Sequence, residues 1–236
     1  MKTEGRNAVL ELLKTDKTVD KILLEQGAQG SLQKIFALAR QKNIRVQFVQ
    51  RAALDRESRD KRHQGVIAYT TDFVYSNLSE LAGREESLIV LCDGIEDVHN
   101  LGSILRVAEC AGADGVVIPA AKGASVTEAV VRISAGAAEH IKVAKVVSVN
   151  RAIDELKELG YWIYALEAGG ESIYEERLTG KVALVVGGED SGVRRLTREK
   201  CDKTLSIPLF GKVNSLNASV ALGIAVYEVV RARLKV

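Results

Sequence analysis

Five short apolar runs in the second half of the chain constrain the fold most: LIVLC (88–92), GVVIP (115–119), VAKVV (143–147), WIYAL (162–166) and VALVVGG (182–188). A strand with one wet face alternates apolar and polar residues. These runs are almost continuously apolar, so each needs cover on both faces, as strands of a parallel sheet have. Helical periods lie between and after them, notably NLGSILRVAECAG, AIDELKELG and NASVALGIAVYEVVRARL. Strands alternating with helices give an α/β unit on a mainly parallel sheet, with helices on both sides.

The first half is also α/β, but smaller. Val9, Leu10, Leu12 and Leu13 form a helical stripe, and Val19–Leu24 reads as a strand. SLQKIFALARQ is a helix with Leu32, Ile35, Phe36 and Ala39 on one face and Ser31 as its expected N-cap. A short strand at Arg45–Val49, a charged helix or loop at 52–60 and a last strand at Gly65–Thr70 complete it. The expected division is a domain at 1–75, a linker at 76–86 and a larger domain at 87–236.

Charge is uneven. Residues 1–83 hold 14 Lys and Arg against 10 Asp and Glu, while the whole chain carries only +2. A basic front half suits a polyanion partner, though an ordinary solvated surface gives the same count. No apolar run approaches the ~20 residues of a membrane helix. The start, MKTEGRNAVLELLK, lacks the apolar core and cleavage site of a signal peptide. Cys92, Cys110 and Cys201 are widely spaced without a C-x-x-C, which argues against a disulfide framework and a zinc site. A cytoplasmic location and no bound metal are the expectations.

Three segments carry more polar residues than packing needs. In DGIEDVHNLGSILRVAECAGADGVVIP (93–119), Leu101, Ile104, Leu105 and Ala108 make the buried stripe. Asn100 stands at the expected helix start, as an N-cap or as a functional amide. Arg106 lies opposite the stripe, on a solvated face or at a site. In LVVGGEDSGV (184–193), a buried strand runs into Gly187 and Gly188 and then Glu189. That arrangement is an ordinary tight turn or a place where a ligand approaches backbone. It is not G-x-G-x-x-G, which disfavours a nicotinamide-dependent dehydrogenase. In SIPLFGKVNSLNASVALGIAVYE (206–228), a polar loop enters a long apolar helix, with Ser215 or Asn217 as candidate caps.

The words N-L-G-x-I-x-R, G-x-E-x-x-G and I-P-x-x-G-x-x-x-S-L-N-x-S-V-A, in that order, resemble the three signature motifs of the SpoU (TrmH-type) RNA 2′-O-ribose methyltransferases. The resemblance covers residues 88 to about 230. GRNAVLELL and HQGVIA (63–68) also resemble that family's accessory domain, which is similar to small RNA-binding ribosomal proteins. One departure is Val98, where many relatives have proline; it should alter loop stiffness rather than chemistry.

The resemblance implies a deep trefoil knot in the C-terminal domain, homodimerisation through that domain, S-adenosylmethionine as cofactor and structured RNA as substrate. It places Gly187, Gly188, Ile207, Leu209, Ser215, Leu216 and Asn217 around the cofactor. It gives Asn100, Arg106, Glu189, Ser215 and Asn217 to catalysis, and Arg6, Asn7, Arg59, Lys61, Arg62 and His63 to RNA binding. His99, beside Asn100, is a second candidate base, and His63 and His140 are read from the residues as structural or RNA-facing. A guanidinium holds its proton far above neutral pH, so clamping a phosphate and stabilising alkoxide charge is physically easier for Arg106 than proton abstraction. The two-domain layout points to a guanosine in the P-loop of 23S large-subunit rRNA. The alternatives are a tRNA ribose, the rRNA site of the thiopeptide-resistance enzymes, and a catalytically silent RNA-binding assembly factor.

Overall fold

A computed structural model describes residues 2–15, 18–27, 29–58, 61–71, 73–189 and 192–234. The chain divides into two units, 1–74 and 75–236.

The first unit is a four-stranded mixed sheet in the order β1-β4-β2-β3, formed by β1 (Lys2–Glu4), β2 (Thr18–Glu25), β3 (Arg45–Val49) and β4 (Val66–Thr71). β2 pairs with β3 in parallel and with β4 antiparallel. Helices α1 (Arg6–Leu12) and α2 (Ser31–Gln41) bury Val9, Leu12, Leu32, Ile35 and Ala39 against Ile22, Leu24, Val66 and Ala68. α3 (Arg51–Glu57) buries Leu54 with Leu23 and Ile67, the alternate residues of β2 and β4. Helices thus cover both faces, making three layers. Ser31 is not the cap expected of it. Gly30 takes that position with φ +62 and no side-chain bond, which puts Ser31 inside the helix.

The second unit carries six parallel strands in the order β10-β8-β9-β5-β6-β7. They are β5 (Ser87–Asp93), β6 (Gly115–Pro119), β7 (Lys142–Val146), β8 (Trp162–Ser172), β9 (Lys181–Gly187) and β10 (Lys203–Ser206). The chain runs outward from β5 through β6 and β7, then jumps to the other side for β8 and returns to β9. The reversal lies between β5 and β9, and open α/β sheets bind ligands beyond the carboxyl ends of strands at such a point. Alternate strand residues serve opposite faces. Ile89, Leu91, Val117, Ile163, Ala183 and Val185 pack with α6 (Val149–Glu158), and Leu88, Val90, Val116 and Leu184 are equally buried. On one side of the sheet α4 (Val98–Cys110) packs against α5 (Glu128–Ile133) and α8 (Ala218–Arg233), and α7 (Arg195–Lys200) lies against α6. Fully burying each large aliphatic side chain contributes ~1.5–3 kcal/mol.

Residues 76–86, expected as a linker, are built into this second unit. Asn77 and Glu80 form a capping box around a short 3-10 turn, and Leu81 is 2% exposed in the core. α4 buries the expected stripe but starts earlier than expected. Asp97 is its N-cap, accepting from His99 N at 3.0 Å, so Asn100 lies within the first turn. Val98 therefore holds the first helical position. Proline is favoured at that position because its N–H has no partner inside the helix, so the valine found here meets no requirement that proline would break. Gly102 permits close contact with the end of α5, where a Cβ would come within 2.5 Å of Ile133 Cγ2.

α8 runs the length of the unit. Its N-cap is Asn217, and at its far end Arg233 donates to the carbonyls of Ser87 and Gly180 at 2.8 and 2.9 Å. Leu222, Ala225, Val226 and Val229 are buried, while Val220 and Tyr227 stay 51% and 49% exposed. The thiol of Cys92 is buried in β5, and burial pushes it up to about 12. All three cysteines are free.

Candidate active site

Strands β5 and β9 end at one level, where the pairing of β8 with β9 also stops. Asp93, the last residue of β5, pairs with Gly187, the last of β9, and on the other side Leu166 of β8 pairs with Val186. Beyond these ends lies a cleft of about 550 Å³. Gly187, Gly188 and Glu189 form one wall, and Ile207, Leu209, Ser215, Leu216 and Asn217, from the loop between β10 and α8, form another. The volume falls within the range of small-molecule and cofactor sites.

The turn after β9 is unusually tight. Gly192 N donates to Gly188 O at 2.9 Å, closing the base of the loop. A Cβ on Gly187 would overlap the carbonyl group of Gly192 and the nitrogen of Val193, and one on Gly188 would come within 2.5 Å of Gly94 O. The paired glycines are needed because backbone packs on backbone here.

Asn100 joins the two walls. It is 6% exposed and donates through Nδ2 to Glu189 Oε1, while its Oδ1 accepts from Asn217 Nδ2 at 2.9 Å. Asn217 Oδ1 accepts in turn from Ser219 N at 2.9 Å, Ser219 Oγ at 2.6 Å and Val220 N at 3.3 Å. A chain of polarised amides thus links the Glu189 carboxylate to the N-terminus of a sixteen-residue helix, whose dipole favours negative charge at that end. Each amide has both its donor and its acceptor used, so neither can flip without losing bonds. Asn217 is the N-cap of α8. Ser215 is exposed at the cleft.

A profile of the SpoU rRNA Methylase family matches residues 87–227, and one described as RNA 2′-O ribose methyltransferase substrate binding matches residues 3–76. The chain belongs to the SpoU family. It is 40% identical to a Staphylococcus saprophyticus protein assigned to the TrmH family of tRNA/rRNA methyltransferases, over 97% of this chain and 94% of that one. YacO of Bacillus subtilis, assigned to the same family, is also 40% identical, with 97% and 94% covered. Among solved structures, the SpoU methyltransferase AviRb of Streptomyces viridochromogenes, in complex with AdoMet, is similar in fold. The TM-score is 0.66 at 23% identity, covering all of this chain and 91% of that one.

For a SpoU RNA methyltransferase, the sequence-derived residues fall into three groups. Glu189, Ser215 and Asn217 line one cleft, and Asn100 is bonded to two of them. Arg106 stands apart. Six residues beyond Asn100 on α4, at about 100° per residue, it points roughly 120° away. It is exposed, does not line the cleft, and has no ion pair or hydrogen bond among the described residues. His99 lies on the same exposed side.

The third group is the basic cluster of the first unit. Arg6 donates from Nε to Gln64 O at 2.9 Å and from an Nη to Ser31 Oγ at 3.4 Å, so the guanidinium is held rather than loose. Asn7, Lys61 and Arg62 are exposed, and Arg59 lies outside the described residues. His63 must be corrected. It is 0% exposed and cannot touch RNA directly. Its Nδ1 accepts from Gly65 N at 3.0 Å, and Nε2 lies 3.0 Å from Asp55 Oδ1. Both ring nitrogens are spent on holding the loop that carries Lys61 and Arg62. Among the described residues no group of three or more His, Cys, Asp or Glu side chains is placed to hold a metal, and no helix is long and apolar enough to cross a membrane.

Sequence reasoning missed Glu167 and the structural part of Asp93. Glu167 lines the cleft and accepts from Val193 N at 2.8 Å; Asp93 is 1% exposed and accepts from Arg194 N at 2.9 Å. Asp93 as the last residue of β5, and Glu167 as the acid directly after the apolar run WIYAL, were the available signals.

Proposed function

We propose that this chain transfers the methyl group of S-adenosylmethionine to a ribose 2′-hydroxyl of large-subunit rRNA, with a guanosine of the P-loop as target. The observation that carries the reading is the bonded set Glu189–Asn100–Asn217 at the mouth of a cofactor-sized cleft. That cleft suits the cofactor chemically. It offers backbone and apolar side chains of the 207–217 loop, including Leu209 and Leu216, and a carboxylate to face a cationic sulfonium. Family membership and the substrate-binding match over residues 3–76 support RNA as the acceptor.

The bound cofactor supplies an activated methyl group, and the protein's work is alignment and charge placement. Ile207, Leu209 and Leu216 hold the cofactor against the Gly187–Gly188 turn. Asn100 and Asn217 fix Glu189 at the reacting end. Ser215 contacts the nucleotide. Arg106 would grip the phosphate next to the target ribose and stabilise the negative charge on the ribose oxygen as its proton passes to solvent water and the oxygen takes the methyl group. Since Arg106 does not line the cleft of its own chain, it serves the cleft of a second copy in a two-fold dimer. Val220 and Tyr227, exposed on α8, supply apolar surface for that contact. In the same reading the 207–217 loop and α8 complete a deep trefoil knot, supported by the return of α8 from edge strand β10 to α4 and β9.

Calorimetry should give saturable binding of S-adenosylmethionine and none of NAD. Mapping ribose methylation across rRNA and tRNA in a deletion strain should show one missing mark in the large-subunit P-loop. A missing tRNA mark instead would move the substrate, and NAD binding alone would overturn the reading. The first unit acts as an RNA-binding module. Converting Lys61 and Arg62 together to glutamine should weaken RNA binding and reduce the slope of log K against log[salt] by ~1.4–1.8, the value for two lost phosphate contacts. An unchanged slope would exclude both residues from the interface.

A further inference from the structure

The turn that carries Glu189 leaves β9 and comes straight back across it. After Gly192, at φ +60, the chain bends at Val193 before α7 begins, and two consecutive N–H groups need partners past the end of β9. Val193 N donates to Glu167 Oε2 at 2.8 Å, and Arg194 N donates to Asp93 Oδ2 at 2.9 Å. Glu167 belongs to β8 and Asp93 to β5, the two strands that flank β9. Because Leu166 pairs with Val186 and Asp93 with Gly187, both carboxylates stand level with the end of β9, one on each side. Arg194 also reaches back with its guanidinium, placing Nη1 3.5 Å from Asp93 Oδ1 and donating to Lys122 O at 3.4 Å.

We propose that Glu167 and Asp93 are a pair of positioning residues that grip the returning chain from both sides and thereby set Glu189 against Asn100. The inference rests on the reading of Glu189 and Asn100 as the reacting end of the cleft. Neither carboxylate is a catalytic residue; both act through the turn. The base of the turn is closed by Gly192 N donating to Gly188 O at 2.9 Å, and the two side chains just beyond it hold the next two amides. Glu167 also lines the cleft, so losing the grip alters the cofactor wall together with the placement of Glu189.

Glu167→Ala and Glu167→Gln separate this role from simple stability. Alanine removes the acceptor, while the glutamine amide oxygen can still accept from Val193 N. Folded full-length variants, checked by circular dichroism, are compared by three measurements: amide hydrogen exchange at Val193 and Arg194, S-adenosylmethionine affinity by calorimetry, and single-turnover methyl transfer at saturating cofactor. Glu167→Ala should exchange the Val193 amide ~10-fold faster and lose ~10-fold in rate, the scale of one hydrogen bond, and Glu167→Gln should recover most of both. Asp93→Asn, which keeps an acceptor for Arg194 N, should likewise stay close to Glu167→Gln. The Glu167→Ala/Glu189→Ala double variant should be no slower than Glu189→Ala alone, because the first acts through the second. Wild-type exchange at Val193 in Glu167→Ala, a rate loss that glutamine does not recover, or additive losses in the double variant would each overturn the proposal. A wild-type protein that methylates no RNA would remove the functional reading instead, and the exchange comparison would still decide whether the grip exists.

Discussion

Arg106→Ala should lose methyl transfer by at least ~100-fold in single turnover while keeping its fold and its cofactor affinity. That scale is expected when one preorganised charge stabiliser is removed. The fold should be spared because Arg106 is exposed and opposite the buried stripe of Leu101, Ile104, Leu105 and Ala108, so truncation opens no cavity. Cofactor affinity should be spared because Arg106 does not line the cleft. Arg106→Lys divides the two roles open to it. Lysine keeps the charge and loses the planar fork. A phosphate clamp acting through charge should retain measurable turnover with lysine. A role that needs guanidinium geometry or proton transfer should leave lysine nearly as poor as alanine near neutral pH. Near wild-type turnover for Arg106→Ala would take this residue out of the reaction and turn attention to His99 on the same exposed side of α4.

Gly187→Ala should be the most damaging single methyl group in the protein. The backbone of Gly187 is not in the left-handed region, so alanine is conformationally acceptable there and the objection is steric. Its Cβ would overlap the carbonyl group of Gly192 and the nitrogen of Val193, main-chain atoms with no rotamer to adopt. The turn must open, breaking the Gly192–Gly188 and Val193–Glu167 bonds. Two hydrogen bonds at about 1 kcal/mol each and about 1–3 kcal/mol of overpacking should lower the melting temperature by several degrees. Displacing one wall of the cleft should weaken S-adenosylmethionine by at least ~100-fold. Calorimetry beside a thermal melt checks both. Wild-type affinity in this variant would mean that the cofactor does not depend on the β9 turn.

The larger sheet was legible in the sequence because both of its faces are covered. Ile89 and Leu91 face α6 while Leu88 and Val90 face the other way, and that two-sided burial makes LIVLC read as continuous. β1 was not legible. It is three polar-leaning residues, KTE, at the edge of a sheet, held by backbone bonds to β4 rather than by an apolar pattern. α5 drew no expectation, since six residues are too few for a helical period to show. The start of α4 was misplaced because Asp97 and Asn100 are both good caps and only geometry chooses between them. At the candidate site, the motif words named Asn100, Glu189, Ser215 and Asn217, which the fold brings together at one cleft. They did not deliver Glu167, a single acid after WIYAL whose importance depends on which strand lies beside β8. For His63 the sequence left a structural and an RNA-facing role open, and burial decides for the brace.

The bonds that assemble the cleft are distant in the chain. Asn100 to Glu189 spans 89 residues, Asp93 to Arg194 spans 101, and Asn100 to Asn217 spans 117. Loop closure over such lengths is among the slowest events in folding. On the ribosome, β5 and α4 emerge long before their partners, and the amide of Asn100 waits without its two neighbours until residue 217 has been made. Binding capacity is therefore the last property this unit acquires. A ligand that recognises only the finished cleft favours the completed chain by mass action, so S-adenosylmethionine, as the proposed occupant, should stabilise this unit only once residue 217 is in place.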